Sequence, residues 1–304
     1  VSFHPLRFDR AAATYGEQAQ IQSMMAETLI GLLPAAGVSP SGESAGILEM
    51  GCGTGLLTRR LRERFPDTAL IATDAAPRML EAARNNLIHE GQTDRAQAGR
   101  ADKTHANPAE QAQGSLPDPA QVKLRWHLFE ASGAETIPEE IRSRIPYALT
   151  ASNALVQWFP RLEIHFRMVA SLIAPGGSYL VSGFLRDNFP ELNAILAVPP
   201  FSYPEYPGHD EAGIRAAAET AGLEVADFRA ESLETVPASA LAFLESIRGL
   251  GSARRPETKN PLTRSRLRVL LDRYQERYVC AGGVRATWKP WYAWLRKPAG
   301  TSGL

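Results

Sequence analysis

The sequence predicts an α/β fold, a mostly parallel sheet with helices on both faces. Three observations carry this. Short apolar runs alternate with amphipathic stretches along most of the chain. The run Ile47 to Met50 ends in Gly51-Cys52-Gly53-Thr54-Gly55, a turn that feeds a helix from Leu56. A second run, Leu70 to Thr73, ends in an acid, Asp74.

The elements follow in order. Phe8 to about Leu33 reads as helix, with Ile21, Met24, Met25, Leu29 and Leu32 at helical spacing. Gly37 to Ala45 is a Ser/Gly/Pro linker, Gly46 to Met50 strand one, Leu56 to Phe65 a helix, and Leu70 to Thr73 strand two. Pro77 opens a helix to about Ile88, as proline does at a first helical position. Gly91 to Gln121 holds almost no large apolar residue, cannot bury a face, and reads as a flexible surface insertion. Val122 to Phe129 is strand three and Tyr147 to Ser152 strand four. Leu162 to Ile173 is a helix stopped by Pro175-Gly176-Gly177, and Ser178 to Phe184 is strand five. Pro190 to Pro207, rich in proline and aromatics, reads as a lid or cap. Gly213 to Ala221 is helix, Glu224 to Thr235 strand and Ser239 to Gly249 helix. Thr263 caps a helix to about Tyr278. Val284 to Leu295 closes with a strand carrying Trp288, Trp291, Tyr292 and Trp294. One domain is expected: an N-terminal helical lid (1–45), a nucleoside-binding core (46–185) interrupted by the 91–121 insertion, and a substrate-side cap with the basic helix and closing strands (186–304).

The 304 residues are 22% charged and 44% hydrophobic, an ordinary globular balance. No apolar run approaches the roughly 20 residues of a membrane span, and the mixed, charged N-terminus is unlike a secretory signal. Cys52 and Cys280 lie far apart and read as free thiols in a reducing cytoplasm; the six histidines are scattered, so no metal site is expected. Net charge is zero but uneven. Ser246 to Pro298 holds thirteen Lys/Arg against three Asp/Glu, leaving twenty basic and thirty acidic residues elsewhere. Such a segment suits an anionic partner. Nucleic acid is not expected, because no basic region flanks a reader motif.

The glycine turn and Asp74 point to a nucleoside. An acid ending strand two is placed to accept hydrogen bonds from two ribose hydroxyls. Dinucleotide folds use G-x-G-x-x-G, whose helix N-terminus meets a pyrophosphate. Here the pattern is Glu49-x-Gly51-x-Gly53-x-Gly55. It resembles motif I of the class I S-adenosylmethionine-dependent methyltransferases, whose loop wraps the amino-acid end of a cofactor that has no phosphate.

Further stretches resemble the malonyl-acyl-carrier-protein O-methyltransferases of biotin synthesis. These are Phe8-Asp9-Arg10-Ala11-Ala12-Ala13-Thr14-Tyr15 with Gln18-Ala19 and Gln22, Leu48 through Thr58, and Ala72-Thr73-Asp74 with Pro77 and Met79-Leu80. Ser152-Asn153 with Gln157-Trp158-Phe159 also matches. So does a C-terminal run: Ser246-Ile247-Arg248, Gly251, Leu262-Thr263-Arg264, Leu267-Arg268, Leu270-Leu271, Tyr274, Arg277-Tyr278, Ala286-Thr287-Trp288 and Trp291-Tyr292. The resemblance covers nearly the whole chain except Gly91 to Gln121.

It implies a Rossmann-like class I methyltransferase fold with a seven-stranded sheet and a C-terminal helical cap. It implies methyl transfer from S-adenosylmethionine to the free carboxylate of malonyl-acyl carrier protein, or of malonyl coenzyme A. Glu49, Gly51, Cys52, Gly53, Gly55, Asp74, Ala75, Met79 and Asn153 would hold the cofactor, and Tyr15, Asn153, Gln157, Trp158 and Phe159 would line the reaction pocket. Two departures stand out. The family tends to place an acid after strand three for the adenine; here Glu130 or Ser132 would substitute. Strand four opens Tyr147-Ala148-Leu149 in place of Asp-Leu. Arg254, Arg255, Lys259, Arg264 and Arg268 are the candidates for the malonyl carboxylate and the acidic carrier. Other readings stay open at this point: a protein-modifying homologue of arginine-hydroxylase or assembly type, a trans-aconitate-type methyltransferase, or a non-catalytic binding module.

Overall fold

The computed structural model describes residues 19–34, 46–88, 124–128, 137–159, 161–201, 208–249 and 263–299. Outside them lie the linker, the 91–121 insertion, and the residues Tyr15, Glu130, Ser132, Arg254, Arg255 and Lys259.

Helix α1 (Ala19–Ile30) precedes strand β1 (Ile47–Met50), and helix α2 (Leu56–Arg64) follows the glycine turn. Then come β2 (Leu70–Asp74), a helix α3 over 77–88, β3 (Leu124–Leu128), a single helical turn at Glu139–Arg142, and β4 (Tyr147–Ser152). Helix α4 (Leu162–Leu172) leads into β5 (Ile173–Phe184). The remainder is α5 (Pro190–Leu196), α6 (Glu211–Thr220), β6 (Glu224–Ala230), β7 (Leu233–Thr235), α7 (Ala240–Gly249), α8 (Arg264–Tyr278), β8 (Val279–Cys280), β9 (Gly283–Val284), β10 (Ala286–Trp288) and β11 (Pro290–Arg296).

Seven strands form one sheet in the order β3-β2-β1-β4-β5-β11-β6. Pairing is parallel from β3 to β5, and β11 enters antiparallel between β5 and β6. The C-terminal ends of β1, β2 and β4 therefore share one edge, the place where open parallel sheets bind ligands. Alternation splits β1 between two cores. Leu48 and Met50 join Phe166, Val181 and Trp291 on one face; Ile47 joins Met25, Leu57, Leu180 and Tyr292 on the other. A third cluster lies outside the sheet, where Leu192, Phe243, Leu270 and Tyr274 bring α5, α7 and α8 together.

The structure differs from the sequence reading at three points. Strand five starts at Ile173, with no separating loop. Lys297 explains this: its ammonium donates to the carbonyls of Ala170 and Ile173 at 2.8 and 2.9 Å, and so caps α4. Gly176 and Gly177 meanwhile pair with the Lys297 backbone. Glu224 to Thr235 is two strands in two sheets, because the chain turns at Glu231, whose carboxylate accepts the Tyr292 hydroxyl. Val284 to Leu295 is also broken. The Lys289 amide donates to the Asn188 side chain at 2.8 Å, and the chain crosses there from the small β7–β10 sheet into the main one.

The β8–β9 hairpin fits tightly against the segment that precedes α7, at Pro237 and Ala238. A Cβ on Gly283 would lie 2.0 Å from the Pro237 carbonyl oxygen, a backbone atom that also accepts from the Val284 amide. Gly283→Ala is expected to cost about 1–3 kcal/mol by overpacking. Thermal unfolding should show a midpoint lowered by several degrees; an unchanged midpoint would mean the hairpin moves aside freely.

Candidate active site

The glycine turn is a backbone device. Gly51, Gly53 and Gly55 all have positive φ, at 69°, 53° and 92°. A Cβ at Gly51 would sit 2.8 Å from a Leu155 methyl, and one at Gly55 3.2 Å from the Ala83 methyl. The turn is thus pressed between the segment after β4 and helix α3. The Asn86 side chain adds a bond to the Thr54 carbonyl at 3.0 Å.

Asp74 organises this turn. One carboxylate oxygen accepts from the Gly53 amide at 2.9 Å and the other from the Ala76 amide at 2.8 Å. A carboxylate offers about four acceptor sites, so one that holds two backbone amides is also of the type that accepts a ligand's hydroxyls. Ala75, partly exposed, follows it, whereas Met79 is buried in the apolar core. Cys52 is buried too, and burial, then the charges of Glu49 and Asp74, push its thiol well above the usual range. It is therefore a protonated packing residue. Both cysteines are free.

Glu49 is only 1% exposed, beneath the turn. Among the described residues, neither its Oε2 nor the nearby Thr58 hydroxyl completes a hydrogen bond. Burial drives its pKa up to about 8; Thr58 opposes the rise and the charge of Asp74 adds to it. A carboxyl held protonated by burial makes the folded state weaker as pH rises. The contribution is fully present below the ordinary value near 4.5 and is lost on the way to about 8. Urea unfolding from pH 5 to 8.5 is expected to show stability falling with pH, and Glu49→Gln should flatten that slope. An identical slope in the variant would show that Glu49 is not the group responsible.

At the end of β4, Asn153 is partly exposed and both ends of its amide are engaged. Nδ2 donates to the Gln22 carbonyl of α1 at 2.9 Å, and Oδ1 accepts from Ser182 at 2.6 Å. Gln157 is buried and donates to the Ala154 carbonyl at 2.6 Å, while its Oε1 has no hydrogen bond among the described residues. Trp158 is half-buried and Phe159 buried, its ring stacked on His165 at 4.4 Å. Behind them, Tyr179 joins the Ser152 hydroxyl at 2.7 Å and His165 at 2.9 Å.

The structure therefore brings Glu49, the glycine turn, Asp74 and the residues after β4 together at one sheet edge. Arg264 and Arg268 are not part of that cluster. They are exposed on α8, which packs chiefly on α5, α7 and the short hairpin strands, and make no ion pair among the described residues. Sequence reasoning missed Thr58, Leu155 and Ser182. Only Ser182 left a trace, a small polar residue inside the apolar run Tyr179 to Phe184. Among the described residues, no group of acids, histidines or cysteines could hold a metal ion, and no helix is long and apolar enough to cross a membrane.

Comparison with known proteins fits this arrangement. A family profile described as a methyltransferase domain matches residues 47–114. The chain is 28% identical over 296 residues to a malonyl-[acyl-carrier protein] O-methyltransferase of Chlorobium luteolum, covering 96% of this chain and 93% of that one. An enzyme of the same name from Geobacter sulfurreducens is 29% identical, with 92% and 93% covered. Among solved structures, a candidate methyltransferase from Bacillus halodurans superposes with a TM-score of 0.52 at 13% identity, over 90% of this chain and 98% of that one. The fold is Rossmann-like, that of the class I methyltransferases.

Proposed function

On this methyltransferase fold, similar over nearly its whole length to malonyl-[acyl-carrier protein] O-methyltransferases, we propose that the chain methylates the free carboxylate of a malonyl thioester carried by acyl carrier protein, an early step of biotin synthesis. One observation carries the reading: that full-length likeness coincides with an intact glycine turn tied to Asp74 through the Gly53 amide.

The residues fit S-adenosylmethionine. The buried Oε2 of Glu49 completes no hydrogen bond among the described residues, and a cationic group bound beside it would draw this protonated carboxyl into its charged form, while the positive φ of the three glycines turns the backbone of the loop in a way side-chain-bearing residues rarely adopt. Asp74, ending β2 at the sheet edge, would accept hydrogen bonds from the ribose hydroxyls. The bound cofactor supplies an electrophilic methyl group on a sulfonium.

The protein's own task is then small. A carboxylate with an ordinary pKa near 4 is ionised at neutral pH, so no general base is needed. What remains is alignment of the carboxylate oxygen with the methyl group, and near-attack geometry supplies roughly 7–11 kcal/mol in such cases. Trp158 and Phe159 would wall the pocket and exclude water, which otherwise stabilises the charges that annihilate on reaction. Arg264 and Arg268 would meet the acidic carrier.

The test is a labelled methyl donor incubated separately with malonyl-acyl carrier protein, malonyl coenzyme A and trans-aconitate. Label in a base-labile ester of the first, above the other two, is expected. Preferential labelling of trans-aconitate, or no product from any, would overturn the proposal.

A further inference from the structure

Ser182 sits on β5 with its side chain among Leu180, Phe184 and Tyr292, and is completely buried. A hydroxyl in such surroundings is costly unless bonded. It is bonded twice, donating to Asn153 Oδ1 at 2.6 Å and accepting from the Ala154 amide at 3.2 Å. Asn153 passes the connection on, from Nδ2 to the Gln22 carbonyl of α1 at 2.9 Å. Chemistry fixes this orientation: a flipped amide would set oxygen against the Gln22 carbonyl oxygen.

Both ends of the relay reach the glycine turn. Ala154 holds φ at 52°, a left-handed backbone that alanine adopts only under constraint. The next residue, Leu155, presses its methyl groups against Gly51. At the other end, α1 packs on α2, the helix that the glycine turn feeds.

We propose that Ser182 is a positioning residue for the methyl-donor pocket. One hydroxyl holds the strained turn against Gly51 and, through Asn153, holds helix α1 in place. The inference rests on the functional reading above and assigns a role to a residue that acts on the pocket through Asn153 and Ala154.

Ser182→Ala leaves Asn153 Oδ1 and the Ala154 amide without their partner. Calorimetry with S-adenosylhomocysteine is expected to give a dissociation constant raised about 5- to 20-fold. KM for the methyl donor should rise in step while kcat changes little. Amide exchange followed by mass spectrometry should quicken in α1 and leave α7 and α8 at wild-type rates. A general loss of stability would quicken all three and would overturn the proposal. Asn153→Asp is the second variant, used where Ser182→Ala does not fold. It keeps the acceptor for Ser182 and loses the donor to Gln22, so faster exchange in α1 is expected, and an unchanged rate overturns the proposal. Wild-type binding with an unaltered Ser182→Ala variant overturns the relay alone. Wild-type protein that binds no S-adenosylhomocysteine overturns both the relay and the functional reading.

Discussion

Asp74→Ala is expected to raise the dissociation constant for S-adenosylmethionine by roughly 30- to 150-fold, a loss of about 2–3 kcal/mol. Two effects combine. The ribose hydroxyls would lose a charged acceptor, which is stronger than a neutral one. The turn would also lose its tie, because the Gly53 and Ala76 amides at 2.9 and 2.8 Å both bond to this carboxylate. Three residues with positive φ then have fewer constraints to hold them ready for the ligand. Asp74→Asn should lose less, because the remaining amide oxygen can keep one of the two backbone bonds. Calorimetry on variants with wild-type circular dichroism decides the matter, and a change below threefold in Asp74→Ala would remove the ribose assignment.

The second large effect is a charge reversal on α8. Arg264→Glu with Arg268→Glu is expected to lower kcat/KM for malonyl-acyl carrier protein roughly 10- to 50-fold at low salt, because exposed charges govern encounter with an oppositely charged partner. The deficit should shrink as salt rises, and a short malonyl thioester should be used nearly as well as by the wild type. Both residues are exposed, one helical turn apart, and unpaired among the described residues. A glutamate in the first turn also suits the helix dipole, so the variant is expected to fold. Arg266 and Arg273 would be poor choices, since their guanidinium groups hold the Pro200 and Pro199 carbonyls at 2.5 and 2.6 Å. Equal loss on carrier and short substrate would mean that the face is structural.

The features read correctly from sequence are those that neighbouring residues determine. Strand four runs from Tyr147 to Ser152 as expected. Thr263 caps α8 by accepting from the Arg266 amide, a local signal of three residues. The glycine turn and Asp74 announced themselves through spacing alone. The features missed depend on distant partners. Strand five begins early because Lys297 reaches α4 from far along the chain. The closing strand breaks at Lys289 because of Asn188, and Glu231 ends β6 beside Tyr292. In the site the same division holds. Glu49 was legible as an acid before a glycine turn, but its protonated state follows from burial, aided by the charge of Asp74 and opposed by Thr58. Asn153 was visible in sequence only as the residue after strand four, while its bonds to Gln22 and Ser182 join segments that no local pattern connects.

The antiparallel entry of β11 between β5 and β6 has a consequence for synthesis. While the nascent chain still lacks Pro290–Arg296, β5 and β6 have no shared neighbour, and two unsatisfied backbone edges stay open in an emerging sheet. Vectorial folding on the ribosome can therefore complete the Gly51 side early, but the sheet closes only once that late strand has left the exit tunnel.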